Sequence, residues 1–151
     1  VTGDSTNVLA PFHTAEHILS AVMQRDFGSG RSLETHLGVK KSKCDYFVRR
    51  PLDEDDLRKI EAAVNAEIAR DLAVTSFVVS RDEAEGRYDM GKVPPGVEAI
   101  RIVKIGDLDT MPCIGPHVGH TRQIGRFVVR SATMKGANVV RIRYALTDEG
   151  A

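Results

Sequence analysis

Two short segments constrain this chain more than anything else in it. Phe12-His13-Thr14-Ala15-Glu16-His17-Ile18-Leu19 carries one pair of metal-ligand residue types, and Pro112-Cys113-Ile114-Gly115-Pro116-His117 carries another. Both pairs have i, i+4 spacing, yet Cys113 follows His13 by 100 residues. On a helix, His13 and His17 project from one face and can aim at a common point. Gly115 and Pro116 break the second segment, so Cys113 and His117 are expected to converge through a loop. If one ion takes all four, the fold must press its first helix against a loop from its last third. Three imidazoles and a thiolate form a donor set suited to tetrahedral zinc. A histidine pair at helical spacing arises readily by chance. Two pairs of equal spacing, drawn from five histidines and two cysteines, are hard to reproduce with structural residues.

Composition narrows the class. At 151 residues the chain reads as one domain, residues 1–151, long enough for a sizeable core, with 1–10 a loose polar lead-in. Net charge is zero, so any nucleic-acid contact must rest on a local basic patch. Cys44 and Cys113 cannot build a disulfide framework, which suggests a reducing compartment. No apolar run approaches the length of a membrane span and no signal-peptide pattern opens the chain, so the expected location is cytoplasmic. Val1 in place of a methionine leaves the natural start open. The oligomeric state is not readable, and a homo-oligomer is one expectation.

Pro11 suits a helix start, and a helical pattern runs to about Phe27 before Gly28-Ser29-Gly30. At about 100° per residue, Ala15, Ile18, Leu19, Val22 and Met23 form the apolar face. His13, His17, Ser20, Ala21 and Gln24 fall on another stripe, expected to face a cleft or solvent. Leu33 to Gly38 and Cys44 to Val48 read as strands joined by Lys40-Lys41-Ser42-Lys43. Asp53 caps a second helix with an acidic first turn and a buried stripe of Leu57, Ile60, Val64, Ile68 and Leu72. Val74 to Ser80 is strand-like, Arg81 to about Glu85 helical, and Ile100 to Ile105 a further strand. Arg126 to Met134 and Val139 to Leu146 flank a turn at Lys135-Gly136-Ala137-Asn138, a hairpin. Strands follow one another without βαβ alternation. The expected class is α+β, a largely antiparallel sheet with two main helices packed on it.

A catalytic zinc keeps one position free, and its metal-bound water would be the nucleophile on a carbonyl carbon. Four simultaneous protein ligands would instead make a closed, structural site. Glu16 points roughly 100° from His17 on the helix; it either helps a neighbour or is an ordinary surface carboxylate, the simpler reading. His36 is a candidate helper from a strand, and His120 follows the ligand loop. Asp107 and Asp109 could accept imidazole N–H groups. Lys40, Lys41, Lys43, Arg49 and Arg50 form a basic run, and Arg122, Arg126, Arg130, Lys135, Arg141 and Arg143 tilt the C-terminal part positive. Such charges ordinarily solvate strands; gathered around the cleft, they would contact phosphates.

With these residues in view, the chain resembles the editing domain of alanyl-tRNA synthetase and the free-standing AlaX proteins, which share a fold with the threonyl-tRNA synthetase editing domain. The resemblance rests on His13-x-x-x-His17, His36-Leu37-Gly38 with Asp45 after it, and Ser80-Arg81-Asp82-Glu83-Ala84. It continues through Pro94-Pro95-Gly96-Val97, Ile105-Gly106-Asp107, Pro112-Cys113-x-x-x-His117-Val118, Thr121 and Ile124-Gly125, over roughly residues 11 to 130. It implies an editing-domain-like fold and a zinc-dependent hydrolase that cleaves the ester of a wrong amino acid, Ser or Gly, on alanine tRNA. It implies His13, His17, Cys113 and His117 as Zn2+ ligands, with the acceptor end of tRNA entering the cleft. Lys40, Lys41 and Arg122 are the candidate tRNA contacts. The tripeptide Ile114-Gly115-Pro116 departs from the Gly-Gly-Thr common in that family. His13-x-x-Glu16-His17 also satisfies the H-x-x-E-H of inverzincin peptidases, with Glu16 as base, and is similar to the His-Thr-Leu-Glu-His of S-ribosylhomocysteine lyase. Neither explains the second pair. A non-catalytic zinc-stabilised RNA-binding module is the other alternative.

Overall fold

The computed structural model describes residues 8–148. The first seven residues of the expected lead-in lie outside that range. Its last three do not behave as a loose tail: His13 N–H donates to the Leu9 carbonyl at 2.9 Å, and Ala10 is buried where helix α1, Ala10–Phe27, begins. Pro11 occupies the first turn, where a missing N–H costs nothing. Gly28 closes the helix at φ +67°, a left-handed position that glycine adopts without strain, with its N–H on the Met23 carbonyl.

Four strands, β1 (Glu34–His36), β2 (Ser42–Phe47), β6 (Arg126–Met134) and β7 (Val139–Thr147), form an antiparallel sheet in the order β1-β2-β7-β6. A second antiparallel sheet, order β3-β4-β5, comprises β3 (Val74–Ser80), β4 (Ala99–Ile105) and β5 (Asp109–Pro112). Helix α2 (Glu54–Ala69) packs with α1, and a short helix α3 (Arg81–Ala84) follows β3. The α+β class is as expected, and the strands all pair antiparallel. The division into two sheets was not foreseen. Nor was β5: Asp-Thr-Met-Pro has little strand propensity, and pairing against Ile102–Ile105 makes it a strand. Its proline sits at the end of a sheet-edge strand, where no ladder donor is missed. Ser42 and Lys43, expected in the first turn, instead begin β2.

The main core joins both helices to both sheets. Ile18, Leu19, Val22 and Met23 of α1 meet Ile60 and Val64 of α2, Tyr46, Phe127, Ile142 and Tyr144 of the first sheet, and Ile105 of the second. A smaller cluster, Ala84, Ile100 and Ile102, lies on the other face of β4. Helix α1 is consequently buried nearly all round. His17, Ser20 and Ala21, expected on an open stripe, are buried at 1%, 0% and 8% exposure. β5 of the second sheet covers the His17 side of that stripe through Asp109, and β2 of the first covers the Ser20 side through Tyr46.

Helix α2 begins with a capping box in which Asp53 accepts from the Asp56 N–H and Asp56 from the Asp53 N–H. The bidentate Arg50 guanidinium, assisted by that N–H, holds the Asp56 carboxyl down at about 2. The folded value lies below the ordinary carboxylate value of about 3.9. The resulting stabilisation is therefore full above about pH 4 and fades as pH falls toward 2. Asp56→Ala is expected to lower stability by about 1–2 kcal/mol at pH 7. Urea melts at pH 7 and pH 2.5 should show that difference shrinking at the lower pH.

Candidate metal centre

Helix α1 delivers His13 and His17 one turn apart, and the segment after β5 delivers Cys113 and His117. The four donor atoms all lie within 4.8 Å of one another. His13 Nε2 is 3.2 Å from Cys113 Sγ, and His117 Nε2 is 3.4 Å from the same sulfur. Zinc bonds of about 2.0–2.1 Å to nitrogen and 2.3 Å to sulfur at tetrahedral angles leave donors about 3.3–3.6 Å apart. The His13 and His117 rings stack at 4.3 Å, and His17 stands edge-on to both. His17 is buried, whereas His13, Cys113 and His117 are half-buried, so the cluster is approached from the loop side.

Hydrogen bonds on the far ring nitrogens fix which nitrogen faces the cluster. His17 Nδ1 lies 3.1 Å from Asp109 Oδ2, so Nδ1 carries the proton and Nε2 is turned inward. Thr14 Oγ1 donates to the Ala10 carbonyl and accepts from the Val118 N–H. His117 Nδ1, 2.9 Å from Thr14 Oγ1, is therefore the donor of that pair, which again leaves the Nε2 lone pair facing the cluster. The Arg101 guanidinium donates to the Cys113 and Gly115 carbonyls at 3.0 and 2.9 Å and holds the ligand loop down.

The electrostatics suit a cation. Burial pushes the Cys113 thiol up, but the surrounding imidazoles of His117, His13 and His17 outweigh it and bring its pKa to about 3, a thiolate at neutral pH. Burial disfavours a charged His17, but Asp109, Cys113 and Glu16 overcome this and raise it to about 9. His117 moves down, chiefly through burial. A thiolate beside an imidazolium is a net dipole that a divalent ion would replace, expelling the His17 Nε2 proton.

The remaining candidates separate clearly. Glu16 is not a surface carboxylate: it is 7% exposed, accepts from Ser20 Oγ at 2.6 Å, and its Oε1 lies 3.9 Å from His17 Nε2. The covered helix face explains the difference. Asp109 bonds a ligand ring, whereas Asp107 is exposed and pairs with Arg70. His36 is exposed on β1 opposite Lys43, on the sheet face away from buried Cys44 and outside the ligand group. His120 is exposed, 3.7 Å from Asp71. Lys40, Lys41 and Arg122 are exposed. Thr14 and Arg101 were missed. Thr14 was hidden between two helical ligands, and Arg101 in a strand buried on both faces, which has no polar face to read. A cavity of about 400 Å³ touches Asp109 together with Arg25, Glu67 and Arg70, but none of the four ligand side chains.

Two small antiparallel sheets, two packed helices and a three-histidine, one-cysteine cluster define an α+β domain whose clustered side chains could hold a metal ion. Residues 100–143 match the family described as the threonyl and alanyl tRNA synthetase second additional domain. Nearly the whole chain is similar to alanine–tRNA ligases. It is 32% identical over 140 residues to that of Aeropyrum pernix, covering 90% of this chain and 16% of that protein. It is 29% identical over 145 residues to that of Treponema denticola, covering 95% of this chain and 24% of that protein. The Methanopyrus kandleri enzyme gives 31% over 150 residues, 96% of this chain and 16% of that protein. The chain is related to alanine–tRNA ligases over nearly its whole length and matches the second additional domain at residues 100–143, and it spans at most about a quarter of the length of these relatives. Among the described residues no helix is long and apolar enough to cross a membrane.

Proposed function

We propose that this domain is a zinc-dependent deacylase that hydrolyses the ester of a wrong amino acid, Ser or Gly, from alanine tRNA in the cytoplasm. The observation that carries it is the convergence of His13, His17, Cys113 and His117, within 4.8 Å, in a relative of alanine–tRNA ligases. A zinc ion held there would polarise the ester carbonyl and acidify water near it. Asp109 and Thr14 hold two of the ligand rings. Glu16 Oε1, free of the Ser20 bond and beside His17 Nε2, is the nearest carboxylate oxygen to accept the proton of the attacking water. Its other oxygen is steadied by Ser20, which receives the Tyr46 hydroxyl; burial holds that phenol well above its ordinary pKa and so keeps it a donor. Lys40, Lys41 and Arg122, all exposed, would meet acceptor-stem phosphates, giving a rate that falls with salt.

Seryl-, glycyl- and alanyl-tRNA with and without chelator provide the test. The expected result is release of serine or glycine faster than alanine, lost with chelator and restored by zinc. Glu16→Gln should lower kcat by about 10²–10⁴ at unchanged zinc content. One feature favours a second reading: four protein ligands complete a tetrahedron, as in structural sites. A zinc-stabilised RNA-binding module would retain tRNA affinity and release no amino acid.

A further inference from the structure

We propose that Arg31 is a positioning residue for the metal centre, acting through Asp109 on His17. The inference rests on the reading of the four-residue cluster as a metal site, and it concerns a residue from a third part of the chain. Gly28 turns the backbone out of α1, and Ser29 N–H returns to the Met23 carbonyl at 3.2 Å, folding the Gly28-Ser29-Gly30 corner back along the helix. Arg31 is thereby brought under cover, with only 13% of its side chain exposed. Its Nη1 donates to Asp109 Oδ1 at 2.8 Å, while the other oxygen of the same carboxylate receives His17 Nδ1 at 3.1 Å. The result is a continuous line: guanidinium, carboxylate, imidazole, cluster centre.

The line is not explained by stability alone. A buried ion pair is weak support for a fold, because desolvation of both partners offsets their attraction. Arg31 is moreover incompletely satisfied: its Nη2 is buried with no hydrogen-bond partner among the described residues. A guanidinium held this way does one thing well. It fixes the rotation of the Asp109 carboxylate, so that Oδ2 stays on His17 Nδ1. Without it, Asp109 is free to turn about its terminal torsion, and His17 loses the contact that keeps the proton on Nδ1 and the lone pair of Nε2 facing the other ligands. Second contacts of this kind are worth about 10–100-fold in metal affinity.

The test measures zinc affinity by chelator competition, the visible spectrum of the Co2+ form, and the ring ¹⁵N shifts of His17 in zinc-loaded protein and in metal-free protein at pH 10, where the ring is neutral. Arg31→Met and Asp109→Asn should each weaken zinc by about 10–100-fold and perturb the cobalt ligand-field bands. Both should also move the His17 nitrogens away from the single Nδ1–H tautomer. Arg31→Lys, which keeps the charge and one donor, should recover part of the affinity. The inference is overturned if Arg31→Met leaves affinity and His17 shifts at wild-type values, or if Arg31→Lys recovers nothing while both variants melt at the wild-type temperature. Should Arg31→Met unfold, Arg31→Lys and Asp109→Asn carry the comparison. If wild-type protein binds no zinc, the metal reading fails. The Arg31 assignment is then judged on the His17 tautomer in the metal-free protein.

Discussion

Replacing Cys113 by alanine is expected to abolish stoichiometric zinc binding and, with it, amino acid release, while the fold survives. Cys113 is the one thiolate in the set and touches His13 and His117 directly, so its loss removes a ligand and the anion that the three imidazoles face. The loop carrying it lies at the surface and is held by Arg101 through backbone carbonyls, contacts that the substitution leaves in place. The second cysteine supplies the control. Cys44 is fully buried, and burial, with the nearby Glu16 carboxylate, pushes its thiol up to about 12. Iodoacetamide should therefore label metal-free wild-type protein once, at Cys113, and Cys113→Ala not at all. Zinc should protect the wild type. Because the Cys113 thiol lies at about 3, labelling should be nearly flat from pH 5 to 8, instead of rising toward the ordinary thiol value of about 8.5. A steep rise across that range, or labelling that zinc does not slow, would show that the four side chains share no centre.

How much of this could be read from the chain depended on which physical signal each residue left. The two ligand pairs, the helix ends and the terminal hairpin follow from local rules of spacing, capping and turn composition. These act within a few residues and survive whatever the tertiary structure does. Asp107 and Asp109 show where such rules stop. Both precede the Cys113 loop, and nothing local separates them. Asp109 enters β5 opposite buried Ile105, so its side chain takes the face turned to α1, while Asp107 stays in the exposed turn between strands. Glu16 was misjudged for a related reason. A helical wheel knows one buried face, and α1 is covered further round: β2 closes over Glu16 and Ser20 through Tyr46, and β5 over His17 through Asp109. Arg31 left no trace at all. Its partner is 78 residues away, and the contact exists only once the glycine corner has folded.

Gly115→Ala is expected to be almost as damaging as loss of a ligand, although no donor atom is removed. A Cβ built on Gly115 would lie 2.2 Å from His13 Cε1 and 2.4 Å from Nδ1, far inside any real contact. The loop cannot retreat freely, since Arg101 grips the carbonyls of Cys113 and Gly115, and Thr14 binds both His117 and the Val118 N–H. The His13 ring must then move, and its Nε2 leaves Cys113. Since contacts one shell out are worth about 10–100-fold in metal affinity, losing the alignment of a ligand itself should exceed about 100-fold. Ile114 is the comparison: it is 93% exposed, so Ile114→Gly should leave zinc affinity unchanged. Any effect on which amino acid is released would then report on substrate contact at the lip of the site. Chelator competition on the two variants separates these outcomes. Zinc affinity at the wild-type level in Gly115→Ala would mean that His13 has room the packing denies it, and that the loop is not fitted around the ligand.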